Sequence, residues 1–352
     1  MKRKNVFIIL PADIPTGPVK GALALANQLV KFVPVSIVFL RKSSGIYDYL
    51  DNEVKIIYLS SKKGIIKKML SYRNILINTS NDNVSISFCF SADLVNMFCF
   101  DIAKTISSVR GNLFKNYYFD YGIPGIIFAS IHLLSLNFIN QVIAMSPGMK
   151  RQLEFFIFKK ITIIPNFIDE SQAFKFKKNF IKKEGEFRFV FVGSLIKRKQ
   201  TLSIIKAILK LKPNYEIRLD IIGNGIEKKY LKEFVSVNNL NKEVIFHGHV
   251  KKPFNIISQA DLLLLPSASE GFARASLEAL CLGIPIILRD VDSNYELLEM
   301  PYSGALFKND SELPDIIIST ANLSRSRSNR SSLLPERFKE SSVINLYSKI
   351  IF

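Results

Sequence analysis

The sequence predicts an α/β protein made of two doubly wound parallel-sheet domains. Three observations predict it. Short apolar runs alternate with segments of helical spacing from Val6 onward, the mark of a parallel sheet with helices on both faces. A second series of the same kind begins at Phe187. The 352 residues, 48% hydrophobic and 22% charged, suffice for two cores of ordinary size.

In the first half, Val6–Leu10, Val35–Leu40, Lys55–Leu59, Val84–Phe88 and Gln141–Met145 read as strands. Gly21–Phe32 and Ile65–Ile77 carry apolar residues every three or four positions and read as helices. The opening segment is not read as a signal peptide. Its apolar run Val6–Leu10 is short, and Pro11, Asp13 and Pro15 follow at once, so it fits a first strand. The longest apolar region, Ile123–Ile143, contains Pro124, His132, Asn137, Asn140 and Gln141 and makes a poor membrane span. It is expected to be a core helix, with an interfacial helix as the alternative.

The Lys-Phe-rich segment Phe174–Lys183 reads as a linker, and the domains are expected at 1–168 and 169–335, with a closing helical segment at 336–352. In the second half the strands are Phe189–Val192, Ile217–Ile222, Val244–Phe246, Leu262–Leu265 and Ile286–Leu288. Asp261–Leu265 shows no alternation, as a strand buried on both faces should not. Phe272–Leu282 reads as a helix, with Gly283 at its C-cap and Pro285 beyond. The Arg-Ser-rich stretch Ser324–Ser332 reads as a mobile loop, and the last helix as about Ser341–Phe352. No internal repeat of fixed period is present.

The formal charge is +18. Nucleic acid, an anionic membrane surface, a phosphorylated substrate or plain compositional bias would each account for it. No nucleic-acid motif or aromatic-basic sheet pattern supports the first. Lys62, Lys63, Lys67 and Lys68 flank Ile65, Ile66, Met69 and Leu70, and Met149–Lys160 sets Phe155, Phe156 and Phe158 beside bases. Such segments can lie on anionic leaflets, and a Rossmann-type helix with a basic outer face explains them nearly as well. Cys89, Cys99 and Cys281 lack metal spacing and suggest buried thiols in a reducing cytosol. His247 and His249 stand two apart without a third ligand nearby, so no metal is expected.

The chemistry concentrates around residues 261–296. An apolar strand stops at Pro266, a Ser-rich loop leads to Glu270-Gly271-Phe272-Ala273, and a helix carries Glu278. Ligands of open α/β sheets sit outside the carboxyl ends of strands. A helix N-terminus offers free N–H groups and partial positive charge to a diphosphate. Gly271 lets backbone approach a ligand. In the expected helix Glu278 lies about two turns in, roughly 9 Å from the start. The two carboxylates therefore contact different parts of an elongated ligand rather than sharing a proton or metal. A loop charge and a solvated helix charge are the plain alternative. A second constellation follows Phe189–Val192: Gly193-Ser194-Leu195-Ile196-Lys197-Arg198-Lys199, then a helix over Leu202–Leu211.

Glu270-Gly271-Phe272, Glu278-Ala279 and Gly283-Ile284-Pro285 together resemble the E-G-F-x5-E-A and G-x-P pattern of the retaining glycosyltransferases of family 4. The resemblance implies the GT-B fold, with two Rossmann-like domains facing a central cleft and the last helix packing back on the N-terminal domain. It implies a nucleotide-sugar donor held by the second domain, and a glycan or lipid-linked glycan acceptor at the first. Gly193 to Lys199 is similar to the family's G-R-L-x3-K-G phosphate motif. Lys199 falls on the lysine that neutralises the donor diphosphate; Ser194 replaces the arginine and Gln200 the second glycine. Arg198 or Lys197 could supply the missing charge. By the same resemblance Glu278 binds ribose hydroxyls and Glu270 the donor sugar.

Other segments follow the family more loosely. Gly17 and Gly21, after the first strand, resemble its Gly-rich loop, where Pro18 removes one N–H donor. Ile222-Gly223-Asn224-Gly225 matches the I-x-G-x-G turn, and Phe246-His247-Gly248-His249-Val250 the F-x-G-x-V loop whose backbone, here at His249 and Val250, holds the nucleobase. Met145–Met149 and Ile164–Asp169 match architectural turns. Asp292-Ser293-Asn294-Tyr295-Glu296 stands where the family has Gly-Gly-x-x-Glu. In the first domain Arg110 replaces a frequent catalytic histidine, and Asp120 is the next polar candidate. Either could orient the acceptor hydroxyl. Retaining members need no protein base if the departing phosphate takes the acceptor's proton. The resemblance thus implies a metal-independent, cofactor-free transferase using a UDP-sugar, located in the cytoplasm or at the cytoplasmic face of an inner membrane. The rivals are a nucleotide-sugar epimerase of the same fold and a nucleotide-sugar-binding scaffold that has lost catalysis.

Overall fold

A computed structural model describes residues 4–43, 50–59, 64–79, 82–176, 185–327 and 329–352. The chain divides into two compact units, Met1–Phe167 with Glu340–Phe352, and Ile168–Lys339. The division falls before the expected linker, most of which lies outside the described residues.

The first unit runs β1 (Asn5–Leu10), α1 (Gly17–Leu29), β2 (Val35–Phe39), β3 (Lys55–Tyr58), α2 (Ile65–Ile77), β4 (Asn83–Phe88) and α3 (Phe90–Met97). It continues with β5 (Lys104–Ser108), α4 (Leu113–Tyr121), α5 (Ile123–Ser135), β6 (Gln141–Ala144), α6 (Pro147–Glu154) and β7 (Lys160–Ile163). The seven strands are all parallel, in the order β3-β2-β1-β4-β5-β6-β7. The second unit contains α7 (Glu170–Phe174), β8 (Phe187–Val192), α8 (Thr201–Leu211), β9 (Ile217–Ile222), α9 (Lys228–Val237), β10 (Val244–Gly248) and α10 (Phe254–Ile257). It closes with β11 (Leu262–Leu265), α11 (Arg274–Cys281), β12 (Ile286–Arg289), β13 (Gly304–Phe307) and α12 (Leu313–Ser326). Its parallel sheet has the order β10-β9-β8-β11-β12-β13. Both orders are doubly wound, as the strand–helix alternation predicts, and each reverses beside its first strand.

Alternate residues of β1 point into opposite layers. Val6, Ile8 and Leu10 join α1 and the C-terminal helix α13 (Glu340–Ile351), which buries Val343, Tyr347 and Ile351 there. Phe7 and Ile9 join α2 and α3 through Tyr72 and Val95. β5, β7 and β13 escape the sequence reading. Lys104-Thr105-Ile106-Ser107-Ser108 is too polar to signal a buried strand, yet its last four residues are buried. Helix α1 begins four residues before the expected start, because Pro18 is well tolerated in a first turn.

Two expectations need correction. Ile123–Ile143 is not a core helix throughout. Along α5, Ala129, His132 and Leu133 are buried, while Ile123, Ile127, Ile131 and Leu134 are exposed. Ser324–Ser332 is not a free loop over its described residues: α12 runs through Ser326, and two of its arginines converge on Asp261. Arg325 Nη2 lies 2.8 Å from Asp261 Oδ2, and its guanidinium sits 3.9 Å over the Phe187 ring. Arg330 approaches the other oxygen at 3.9 Å. Burial lowers the Arg330 pKa to about 10, with Asp261 opposing the shift. A buried carboxylate holds such residues where composition alone suggests solvent.

Candidate donor site at the switch point of the second sheet

The second sheet reverses between β8 and β11, and the loops leaving those strands carry the expected site residues. After β8, Gly193 leads to a short turn at Lys197–Lys199, and Gln200 closes it in the left-handed conformation, φ 47°. After β11, the chain passes from Pro266 to Glu270 before α11. Lys199 Nζ donates to Glu270 Oε1 and joins the two loops. Arg198 ties them a second and third time: its Nη1 donates to Ser269 O at 2.8 Å, and its carbonyl accepts the Ala268 N–H at 2.9 Å. A Cβ at Gly193 would meet Phe191 at 3.2 Å and Lys199 Cε at 3.8 Å, so this glycine lies beside the lysine stem. Ser194 and Lys197 are exposed.

The Glu270 side chain is 9% exposed. Burial drives its pKa up, but the Lys199 and Arg198 charges and the Lys199 hydrogen bond outweigh it, and the net shift is downward. The carboxyl is therefore ionised at neutral pH. Its own N–H donates to Asp292 Oδ2 at 3.0 Å. Asp292 holds φ 51°, so the left-handed backbone persists where the resemblance places a glycine. The sequence reading did not assign Asp292 this part; the only signal was that Asp tolerates that conformation better than most residues.

Helix α11 starts at Arg274, two residues later than expected, and Glu278 lies one turn in, about 6 Å along the axis. It is nearly buried, with Arg274 Nε 4.0 Å from its Oε1. Ala273 is the N-cap and supplies no side-chain cap; its carbonyl accepts the Ser276 N–H at 3.0 Å. The Phe272 side chain packs edge-on against Phe338 at 4.8 Å between centroids. The ring is thereby taken up in packing within the second unit.

The turns after β9 and β10 stack on the same rim. Gly223 N–H donates to Gly248 O at 2.8 Å, and Gly193 N–H to Ile222 O at 3.0 Å. Gly223 has φ 148°, and a Cβ there would lie 1.8 Å from Gly193 O. This turn needs glycine for loop-on-loop packing, whatever else it binds. His247 turns to Asp220, 2.7 Å away, while His249 is exposed and Val250 half-buried. Among the described residues no cluster of three or more His, Cys, Asp or Glu could hold a metal.

The remaining expected residues belong to the first unit. Gly17 begins α1, and a Cβ there would meet nothing within 4 Å. Arg110 follows β5, its guanidinium 4.6 Å over the Phe88 ring and its Nη1 3.4 Å from Asn166 Oδ1. Asp120 is exposed on α4. The sequence reading passed over a buried polar chain in this unit: His132 Nε2 lies 2.8 Å from Asp93 Oδ2, and Tyr117 Oη 3.1 Å from His132 Nδ1.

Two doubly wound domains of this order define the GT-B fold. HepE from Anabaena, in complex with UDP and glucose, superposes with a TM-score of 0.79 over 99% of both chains at 14% identity. S. aureus TarM superposes at 0.76 over 100% of both chains at 13% identity. Residues 172–330 match the family model described as glycosyl transferases group 1. The O-antigen biosynthesis glycosyltransferase WclY of Escherichia coli is 31% identical over 224 residues, 61% of this chain and 62% of that protein. An Escherichia coli UDP-Gal:alpha-D-GlcNAc-diphosphoundecaprenol alpha-1,3-galactosyltransferase is 32% identical over 168 residues, 45% of this chain and 42% of that one. The match thus spans under two thirds of these relatives' length.

Proposed function

We propose that this chain is a retaining, metal-independent glycosyltransferase. It moves a sugar from a nucleotide-diphosphate donor, a UDP-sugar, to a hydroxyl of a growing surface glycan of the lipopolysaccharide, O-antigen or capsule type. The observation that carries the reading is the Lys199–Glu270 bond across the sheet's switch point, beside the uncapped start of α11. That rim combines a fixed ammonium, the electropositive end of a helix without a side-chain cap and an ionised carboxylate.

In this reading the α11 N-terminus and Lys199 bind the diphosphate, Glu270 accepts hydrogen bonds from the donor sugar, and Glu278 from the ribose. Negative charge grows on the β-phosphate as the glycosidic bond breaks. Lys199 and the helix dipole stabilise that charge more in the transition state than in the ground state. The departing phosphate takes the proton of the attacking hydroxyl, so no protein base is required. WclY and the galactosyltransferase named above support a polysaccharide acceptor, and the latter's printed name supports a UDP-sugar and a lipid-linked acceptor. The cytoplasm or the cytoplasmic face of an inner membrane is where such substrates would be met.

A thermal-shift panel of UDP, GDP, ADP and their sugars tests the donor. A ligand at 100 times its Kd adds about 2.7 kcal/mol of stability. Stabilisation by UDP and a UDP-sugar, together with transfer to a glycan acceptor, is expected. Binding without transfer or donor hydrolysis would make the chain a scaffold; no stabilisation by any nucleotide would end the reading.

A further inference from the structure

We propose that the first unit docks on an anionic lipid bilayer through the outer face of α5 and the aromatic loop after α6. Ile123, Ile127, Ile131, Leu134 and Phe138 recur at intervals of four, four, three and four, which sets them in one stripe along the helix and its following turn. Their exposures run from 48% at Ile131 to 75% at Ile123. A surface helix of a globular protein turns its apolar side inward and a polar side outward. Helix α5 is apolar on both: no Asp, Glu, Lys or Arg occurs between Asp120 and Lys150.

The stripe continues into a second element. Asn137 Nδ2 donates to Phe156 O at 2.9 Å, and Phe158 N–H donates to Asn137 Oδ1 at 2.8 Å. These bonds hold the 155–158 loop against the end of α5. Phe155 and Phe158, 81% and 88% exposed, therefore stand beside Leu134 and Phe138. An apolar surface of this extent, built from two tethered elements, marks an interaction site rather than scattered surface residues.

Charge selects the occupant. Lys115, Arg151, Lys159 and Lys160 are exposed around the patch, against the exposed acids Asp120 and Glu154. Apolar side chains ringed by bases fit an anionic leaflet. A second copy would meet the same bases and a formal charge of +18. The 13 residues of α5 extend about 20 Å and cannot cross a hydrocarbon core of about 30 Å, so the helix would lie in the interface. Among the described residues no helix is long and apolar enough to span. Of the two basic segments the sequence offered, the proposal takes Met149–Lys160 rather than the run Lys62, Lys63, Lys67 and Lys68 around α2, and it takes the interfacial alternative for Ile123–Ile143. Of those four lysines, only Lys67 and Lys68 are among the described residues.

Flotation with vesicles tests this without donor or acceptor, and so separately from the transfer reading. The full chain should float with phosphatidylcholine–phosphatidylglycerol vesicles at low salt, and far less with phosphatidylcholine alone or at high salt. Phe155→Ser with Phe158→Ser should weaken binding by about tenfold or more with an unchanged thermal melt. Lys159→Glu with Lys160→Glu, which leaves the apolar contacts intact, should abolish the preference for phosphatidylglycerol. No flotation at low salt, unchanged flotation of both variants, or a concentration-dependent dimer that is lost in the Phe155→Ser, Phe158→Ser variant would each overturn the proposal.

Discussion

Lys199 and Glu270 are 71 positions apart in sequence and hydrogen-bonded across the point where the second sheet reverses, with side-chain exposures of 13% and 9%. Burial makes the pair asymmetric under mutation. Lys199→Ala strands a desolvated carboxylate with Arg198 as its remaining cationic neighbour, and removing one partner of a buried ion pair costs about 3–5 kcal/mol. Glu270→Gln keeps the shape and part of the hydrogen bonding and should cost less. The double variant should be more stable than Lys199→Ala by itself, a coupling that urea melts of the three would measure. If the transfer reading holds, Lys199→Ala also slows turnover by about one to two orders of magnitude, the loss of one charge-assisted hydrogen bond to the leaving group. Unchanged kcat and KM would remove Lys199 from the donor site.

The same carboxylate sets a pH dependence. Burial raises the Glu270 pKa, the Lys199 and Arg198 charges bring it down further than burial lifts it, and the folded value lies below the ordinary 4.5 of a glutamate. A depressed acid pKa gives stability that is full above the unfolded-state value and lost as pH falls through the folded one. Wild type and Glu270→Gln melted across a pH series should differ by a constant amount above about pH 5 and converge in more acidic buffer. A gap that widens on acidification would contradict the downward shift.

Asp261 offers a test away from the donor site. It accepts the Arg188 N–H at 2.9 Å and Arg325 Nη2 at 2.8 Å while 1% exposed. Asp261→Asn retains the volume and removes the charge, leaving Arg325 and the depressed Arg330 facing an amide. The expected cost is about 3–5 kcal/mol, or a fall in Tm of roughly 10 °C for a domain of this size. A variant within a degree or two of wild type by calorimetry would show that these arginines find water instead.

The sequence carried the strand–helix alternation, so both sheets and their class were legible from Val6 and Phe187 onward. Short motifs at strand ends put Lys199 and Glu270 in adjacent loops without a structure, because doubly wound topology brings carboxyl ends to one rim. What failed has a common cause: burial is decided by partners distant in sequence. Arg325 looks like loop composition until Asp261 is beside it. Lys104–Ser108 looks too polar for a strand until its neighbours β4 and β6 cover it. Helix α5 looks like core because its inner and outer faces are equally apolar, and periodicity cannot tell one from the other. Phe272 belonged to a recognised motif, yet its ring fills the space against Phe338.

Gln200 separates backbone geometry from side-chain chemistry at the lysine turn. It adopts φ 47°, ψ 39° directly after Lys199, where the resembled motif has glycine. The left-handed conformation costs a non-glycine residue about 1–2 kcal/mol, and glycine adopts it freely but gives back roughly 0.5–1 kcal/mol in unfolded-state entropy. Gln200→Gly should therefore stabilise the second unit by a net ~0.5–1 kcal/mol, a Tm increase of about 1–4 °C. Its N–H to Lys197 O bond, 3.1 Å, is retained by glycine, so the turn and the position of Lys199 stay as they are. Donor affinity should then be unchanged while Tm rises. A lower Tm would mean that the Gln200 side chain, half-buried here, contributes more through packing than the backbone loses through strain.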